Sequence, residues 1–384
     1  MTKVFRLPSF VLRQHLGNTP MSIKKNNESL FALILAGGTG TRLWPRSRRE
    51  SPKQLLPLFS KRTMLQETCD RILPIIPADH IFIGTNEGYV DTVREQLPDV
   101  PPENVIGEPE GHGTAPSIGL GALRIQKLNP DAVMISLHAD HYIESAEGFR
   151  RALKDVEQVA REGYLVTLGI QPRNPETGYG YIHRGELIEK MGEQPVYRVA
   201  EFMEKPNEAT ATRFVQSGEY YWNSGIFAWK ISTLWEEYER YQPVLCEQLK
   251  KIGKGLGKPR ERVTMKRVWN QIANETIDVG IMEKSQRVAV LPIDVGWSDV
   301  GSWATLLDLL PSDEKENVVV GEHIGVDTTS SLLYSPNRLI ATVGLTDMIV
   351  VDTGDAILVC PKNRAQEVKH IVEALKQNNK HKYL

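Results

Sequence analysis

Residues 31–36 read Phe-Ala-Leu-Ile-Leu-Ala, and residues 37–42 read Gly-Gly-Thr-Gly-Thr-Arg. The apolar run predicts a first strand buried on both faces. The glycines predict that it opens into a turn without Cβ atoms, where backbone N–H groups can close on an anion. Arg42 follows at once, and Lys53 stands inside Ser-Pro-Lys-Gln at 51–54. Both add full charges to the partial ones of the turn. The simplest ligand for such a turn is a run of phosphates.

Two better-known phosphate loops do not fit. A P-loop needs Gly-Lys-Ser/Thr after its last glycine. Gly253-Lys254-Gly255 and Gly257-Lys258-Pro259 lack it. A dinucleotide fingerprint needs a third glycine three residues after the second. After Gly38 and Gly40 that position holds Leu43.

Outward from the turn, strand-like runs at 31–35, 80–84, 104–107, 131–137 and 164–170 alternate with amphipathic stretches at 63–73, 87–97, 114–128 and 146–161. The alternation predicts an α/β fold with a doubly wound, mostly parallel sheet and right-handed crossovers. Ligands of such sheets bind beyond the carboxyl ends of the strands. The loops that follow strands are therefore the informative ones.

From Asn174 the rhythm changes. TGYGYIHRGE (177–186) and YRVAEFMEKP (197–206) read as strands of an inserted antiparallel sheet. Residues 207–216 read as a helix, SGIFAWK (224–230) as a strand and KKIGKGLGKPRER (250–262) as an exposed loop. VAVLPIDVGWSDVGSW (288–303) resumes strand, turn and helix. Residues 337–360 predict three short strands with a turn at Thr353-Gly354-Asp355. Residues 364–377 predict a helix with Val368, Ile371, Val372 and Leu375 on one face. The domain expectation is a leader over 1–28, a catalytic domain over 29–314 with an insert at about 174–290, and a β-rich domain over 315–384.

The 384 residues are 41% hydrophobic and 24% charged, with a formal net charge of −2. That balance argues against a nucleic-acid partner. No apolar run approaches the length of a membrane span. Cys69, Cys246 and Cys360 lie far apart, with neither disulfide nor metal-ligand spacing, which fits a reducing cytoplasm. Met1 to Asn27 holds basic residues and no acid, and Pro8 and Arg13 break its apolar runs, so no signal-peptide core forms. Met21 is an alternative start.

The whole string AGGTGTRLWPRSRRESPKQLLPL (36–58) is far more specific than its glycines. It resembles the signature of the sugar-1-phosphate nucleotidylyltransferases, and LWPRSRRESPKQ resembles the mannose-1-phosphate guanylyltransferase branch. GEPEGHGTAP (107–116), LHADH (137–141), TGYGYI (177–182), FMEKP (202–206), WNSGIF (222–227) and DVGWSDVGSW (294–303) follow in the family's order. The resemblance covers roughly residues 30 to 380. One departure is His112-Gly113, where the family usually carries Arg-Asn before Thr-Ala-Pro.

The resemblance implies transfer of GMP from GTP to α-D-mannose 1-phosphate, giving GDP-mannose and pyrophosphate. The GTP side would use Ala36, Gly37, Gly38, Gly40, Thr41, Glu108, Thr114, Ala115 and Pro116. Arg42 and Lys53 would meet the β- and γ-phosphates; the bland alternative for each is a solvated loop cation. Arg46, Arg48 and Arg49 include at least one plain surface charge. Lys205 would grip the sugar phosphate, with Gly178, Glu204 and Asn223 on the sugar. Asp140 and Asp299 would hold Mg²⁺, which favours oxygen ligands. His138 and His141 read as packing or hydrogen-bonding residues, since imidazole suits softer metals. Tyr179, Tyr181, Trp222 and Trp229 are candidates for core packing. The implied C-terminal piece is a truncated left-handed β-helix-like module, often used for dimer contacts, so a homodimer is expected. No isomerase domain is expected. The rival readings are another hexose 1-phosphate and nucleotide pair, or a non-catalytic nucleotide-sugar-binding subunit.

Overall fold

The computed structural model describes residues 29–38, 40–191 and 194–384. The leader expected over 1–28, with Met21, lies outside them.

The first four strands are β1 (Leu30–Ala36), β2 (Ile81–Asn86), β3 (Val105–Glu108) and β4 (Val133–His138). Between them run α1 (Met64–Ile72), α2 (Val90–Gln96) and α3 (Thr114–Leu128). β1 pairs in parallel with β2 and β4, and β2 with β3. A short β5 (Tyr142–Ile143) and α4 (Ala146–Arg161) lead to β6 (Leu165–Ile170). Successive side chains of β1 feed two separate cores, as the period of two requires. Leu30, Ala32, Ile34 and Ala36 face α1, α2 and α4. Phe31, Leu33 and Leu35 face α3 and the helices described next.

The second half continues with β7 (Gly180–Met191), β8 (Gln194–Glu204), α5 (Glu208–Ser217), β9 (Tyr220–Lys230), α6 (Ile231–Tyr241), α7 (Pro243–Gly253) and α8 (Glu261–Trp269). After them come β10 (Val288–Ile293), β11 (Trp297–Ser298) and α9 (Trp303–Leu309). The stretch from 174 to 290 does not form a sheet of its own. One nine-stranded sheet runs β3-β2-β1-β4-β9-β6-β10-β8-β7. β9 lies antiparallel between β4 and β6, β10 pairs in parallel with β6, and the β7–β8 hairpin extends the far edge. The reason is apolar: Ile226, Phe227, Ala228 and Trp229 are all buried and demand a central place. Nor is 250–262 an open loop throughout. α7 continues to Gly253 and α8 begins at Glu261, with Ile252 and Leu256 buried between them.

The C-terminal strands are β12 (Val318–Val326), β13 (Leu332–Val343), β14 (Met348–Asp352) and β15 (Ile357–Pro361), followed by α10 (Val368–Gln377). β12–β13 and β13–β14 are parallel, although only residues 327–331 and 344–347 connect them. Parallel neighbours need a helical crossover in an ordinary sheet. Here each strand bends and returns on the next coil, as in a β-solenoid. β15 then reverses to pair antiparallel with β14 across the 353–355 turn. On α10, Val368 and Val372 are buried but Ile371 is 45% exposed, so the docked stripe is narrower than its sequence pattern.

A third core joins the two parts. Leu43 and Trp44 of the signature loop and Trp303 of α9 pack with Val318, Leu332, Ile349, Val351, Leu358, Val368 and Val372. Each fully buried side chain of this size contributes about 1.5–3 kcal/mol. Among the described residues no helix is long and apolar enough to cross a membrane.

Candidate active site

The signature turn leaves β1 beside β4, at the carboxyl ends of the parallel strands. Its carbonyl side is occupied. Gln54 donates to the Ala36 carbonyl at 2.9 Å and to Gly38 at 3.3 Å, and the Thr85 hydroxyl donates to Ala36 at 3.0 Å. There is space around the glycines: among the described residues, nothing lies within 4 Å of a Cβ built at Gly37 or Gly38. Gly40 has φ 59° and presses on the next element, so a Cβ there would sit 2.5 Å from Lys53 Cβ. Thr41 begins the short 3₁₀ turn Thr41–Leu43.

Lys53 is buried, with 5% of its surface exposed. Its ammonium donates to Asp140 Oδ2 at 2.9 Å and to the Asp299 carbonyl at 2.5 Å. Asp140 thus meets this cation through its carboxylate and Asp299 through its backbone carbonyl. Burial alone would raise the Asp140 carboxyl, but the Lys53 ammonium outweighs it and holds the group well below the usual carboxylate range. Burial and His138 push the His141 imidazole well below its ordinary value, so it stays neutral. Its Nδ1 accepts the Trp297 indole N–H at 3.2 Å. One donor atom each from His138, Asp140 and His141 lies within 4.8 Å of the others. The hydrogen bond to Trp297 and the 4.8 Å ring contact with His138 agree with the packing role expected of His141.

The sugar-side candidates gather on the facing hairpin. Lys205 has φ 48°, a left-handed backbone that is uncommon outside glycine. Its N–H donates to the Tyr179 carbonyl at 3.2 Å. Among the described residues its ammonium reaches only the neighbouring Glu204, at 2.5 Å, and its side chain is 63% exposed. Asn223 on β9 donates to Asp278 at 2.8 Å and accepts from Thr167 at 3.2 Å. Gly178 donates its N–H to Glu176 at 2.9 Å. The Tyr179 hydroxyl donates to Asp299 Oδ1 at 2.7 Å. Burial, then the neighbouring Asp299, push this phenol far up, so it remains a donor.

The 107–116 loop is pinned to residues 274–277. Glu275 N–H donates to His112 O, Ala115 N–H to Glu275 O, and Ile277 N–H to the Thr114 hydroxyl at 2.9 Å. Gly113 has φ 87°, and a Cβ on it would fall 2.3 Å from the Glu275 carbonyl. His112 stands edge-on to Trp269, which anchors the Glu110 carbonyl at 2.8 Å. Ala115 and Pro116 are buried, so they form a wall. Glu108 is also buried at the end of β3, and burial raises its carboxyl to about 7.

The arginines of the signature loop divide. Arg48 forms a fork with both oxygens of Asp355 at 2.6 and 2.7 Å, so it docks the C-terminal coil. The Trp44 indole donates to the Tyr383 carbonyl at 2.7 Å, and Trp303 donates to the Trp44 carbonyl at 2.9 Å. Arg42 is exposed and donates to Gln366 at 3.0 Å. A side chain on Gly301 would lie 3.1 Å from Asp299 Oδ2 and 3.5 Å from Arg42 Nη1, which places that guanidinium beside the same aspartate.

Sequence reasoning overlooked Gln54, Asp278 and Trp297, and gave Tyr179 only a packing role. Tyr179 and Trp297 stood in quoted motifs, but an aromatic in a motif does not reveal its hydrogen-bond partner. Asp278 lies in a stretch, Asp278–Met282, that carried no motif.

Comparison with known proteins identifies the family. Residues 31–316 match the nucleotidyl transferase family, and residues 321–375 match the MannoseP isomerase/GMP-like beta-helix domain. A mannose-1-phosphate guanylyltransferase of Klebsiella pneumoniae is 39% identical over 357 residues, covering 92% of this chain and 75% of that one. One from Escherichia coli K12 is 39% identical over 359 residues with the same coverage. A crystal structure from Thermus thermophilus, described as a mannose-1-phosphate geranyltransferase, superposes with TM-score 0.83 at 34% identity, covering 91% of this chain and 99% of that one. By family match, coverage and architecture together, the chain belongs to the mannose-1-phosphate guanylyltransferases of the nucleotidyl transferase family.

Proposed function

We propose that the chain joins α-D-mannose 1-phosphate to GTP in an Mg²⁺-dependent in-line displacement, releasing pyrophosphate and GDP-mannose. The observation that carries this reading is the buried Lys53 ammonium at the mouth of the glycine turn, held between Asp140 and Asp299. The attacking oxygen belongs to a phosphate monoester, whose second pKa is about 6, so it is ionised without a general base. The barrier is electrostatic. Two unit charges about 4 Å apart interact by roughly 4 kcal/mol at an effective dielectric near 20. Positioning and charge compensation must dominate.

The N–H groups of Gly37 and Gly38 take the triphosphate, with Gly40 and Thr41 shaping the turn. Lys53 and Arg42 compensate the charge that develops on the departing pyrophosphate. Guanine offers its N1 and N2 protons to the Glu108 carboxylate, against the wall of Thr114, Ala115 and Pro116. Lys205 grips the sugar phosphate. Glu204 and Asn223 address the sugar hydroxyls, and Gly178 lies beside them. The donors at Asp140 and Asp299 are hard carboxylate oxygens, which suit Mg²⁺. When bound there, Mg²⁺ supplies further positive charge to the phosphates. Exposed Ile324, Val326, Val343, Ile357 and Val359 on the C-terminal coils support a homodimer. Three free thiols suit a reducing cytoplasm.

The test is pyrophosphate release from folded protein with Mg²⁺, GTP and mannose 1-phosphate, run against other nucleotides and hexose phosphates. We expect strong preference for this pair and near-complete loss in Lys53→Ala. Absence of pyrophosphate, or a clear preference for another pair, overturns the reading.

A further inference from the structure

Tyr179 touches two parts of the site that come from distant segments. Its backbone carbonyl accepts the Lys205 N–H at 3.2 Å, and its hydroxyl donates to Asp299 Oδ1 at 2.7 Å. The ring between them is fixed on two sides. Trp222 stands edge-on at 5.2 Å and 77°, and Trp297 at 5.5 Å and 68°. Trp297 is itself tied to His141 through its indole N–H. Such edge-on pairs hold an aromatic ring in one orientation.

We propose that Tyr179 is the positioning residue that joins the sugar-phosphate grip to the metal site: its carbonyl sets the left-handed Lys205, and its hydroxyl orients Asp299. This rests on the roles given above to Lys205 and Asp299.

The hydroxyl occupies Oδ1 and leaves Oδ2 for a cation. A carboxylate held this way presents one oxygen in a fixed direction, which a freely rotating side chain does not. Lys205 needs the other contact. At φ 48° its backbone is strained, and the bond to the Tyr179 carbonyl helps hold it there. A substrate that closes on Lys205 therefore meets a lysine whose position is registered, through one rigid ring, to the metal ligand.

Tyr179→Phe separates the two contacts, since it removes the hydroxyl and keeps the ring and the carbonyl. The readout is Mn²⁺ titration by electron paramagnetic resonance of protein with GDP-mannose, alongside steady-state kinetics. We expect Mn²⁺ affinity to fall about 10–100-fold, the range for loss of a partner behind a metal ligand. We expect kcat to fall with it while KM for mannose 1-phosphate and the melting temperature stay near wild type. In an Asp299→Asn background the same substitution should weaken Mn²⁺ little further, because the two changes act through one contact. A folded Tyr179→Phe protein with wild-type Mn²⁺ affinity overturns the proposal. So does a full additional loss in the Asp299→Asn background, which is the behaviour of a merely structural tyrosine. The metal titration does not depend on turnover, so failure of the proposed reaction would show separately, as wild-type protein that binds Mn²⁺ and releases no pyrophosphate.

Discussion

Gly40 and Lys53 are packed so closely that a single methyl group on the glycine would lie 2.5 Å from the lysine Cβ. The missing side chain of one residue thus sets the place of the ammonium on the other. Gly40→Ala should lower kcat by about 10²-fold, the effect of an ångström-scale misplacement. It should also destabilise by about 1 kcal/mol or more, because φ is 59°. Gly37→Ala, which meets nothing, should leave the melting temperature near wild type. Equal thermal shifts in the two variants would refute the packing argument.

Glu108 gives a pH signature. Burial lifts its carboxyl to about 7. The proposed guanine contact needs the carboxylate, so KM for GTP should rise as pH falls below about 7. Stability should run the other way. A folded-state value raised above the unfolded one favours the fold at low pH, and this contribution is lost as pH rises through about 7. Glu108→Gln should therefore abolish the pH dependence of KM and raise the melting temperature at pH 8, by about 2–4 °C per kcal/mol recovered. A pH-independent KM in the wild type would remove Glu108 from the base site.

Lys205 separates function from stability. Its side chain is 63% exposed and pairs with Glu204. Lys205→Ala should raise KM for mannose 1-phosphate at least about tenfold, the scale of a lost charge-assisted bond, and move stability by less than about 0.5 kcal/mol. Lys205→Gly should weaken the substrate equally but stabilise the fold by about 1 kcal/mol, through relief of the left-handed backbone. An unchanged KM in both variants would take the lysine out of the pocket.

Arg48 and Asp355 bear on how the C-terminal coil is held. A double-mutant cycle with Arg48→Ala and Asp355→Ala should return a coupling near 1 kcal/mol, at the upper end for a partly exposed pair because the geometry is a fork. Arg48 holds the Asp355 carboxyl below its usual range. The contribution is therefore complete above about pH 4 and fades as pH falls through the lowered folded-state value. Coupling that persists fully under strong acid would contradict the assignment.

Strands β1, β2, β3, β4 and β6 lie within a few residues of their expected positions. Nearly continuous apolar runs such as Val133, Met134, Ile135 and Leu137 are buried in the middle of a sheet, so local pattern suffices there. The place of β9 is different. SGIFAWK reads as a strand, but nothing local says that it runs antiparallel between β4 and β6. That depends on a global choice among partners. The same divide runs through the site. The glycine turn, Lys53 and Asp140 are legible because charge and backbone freedom are intrinsic to those residues. Arg48 and Arg42 look alike in sequence and differ only in what the C-terminal coil brings to them, Asp355 for one and Gln366 for the other. The Tyr179–Asp299 contact joins residues 120 positions apart, beyond the reach of any spacing rule.

The indole of Trp44 closes on a carbonyl 339 residues further along the chain. The signature loop is thus braced by a segment that is synthesised long after it. Until that segment emerges the loop lacks this brace, so the cradle is expected to reach its full rigidity later than the sheet beside it.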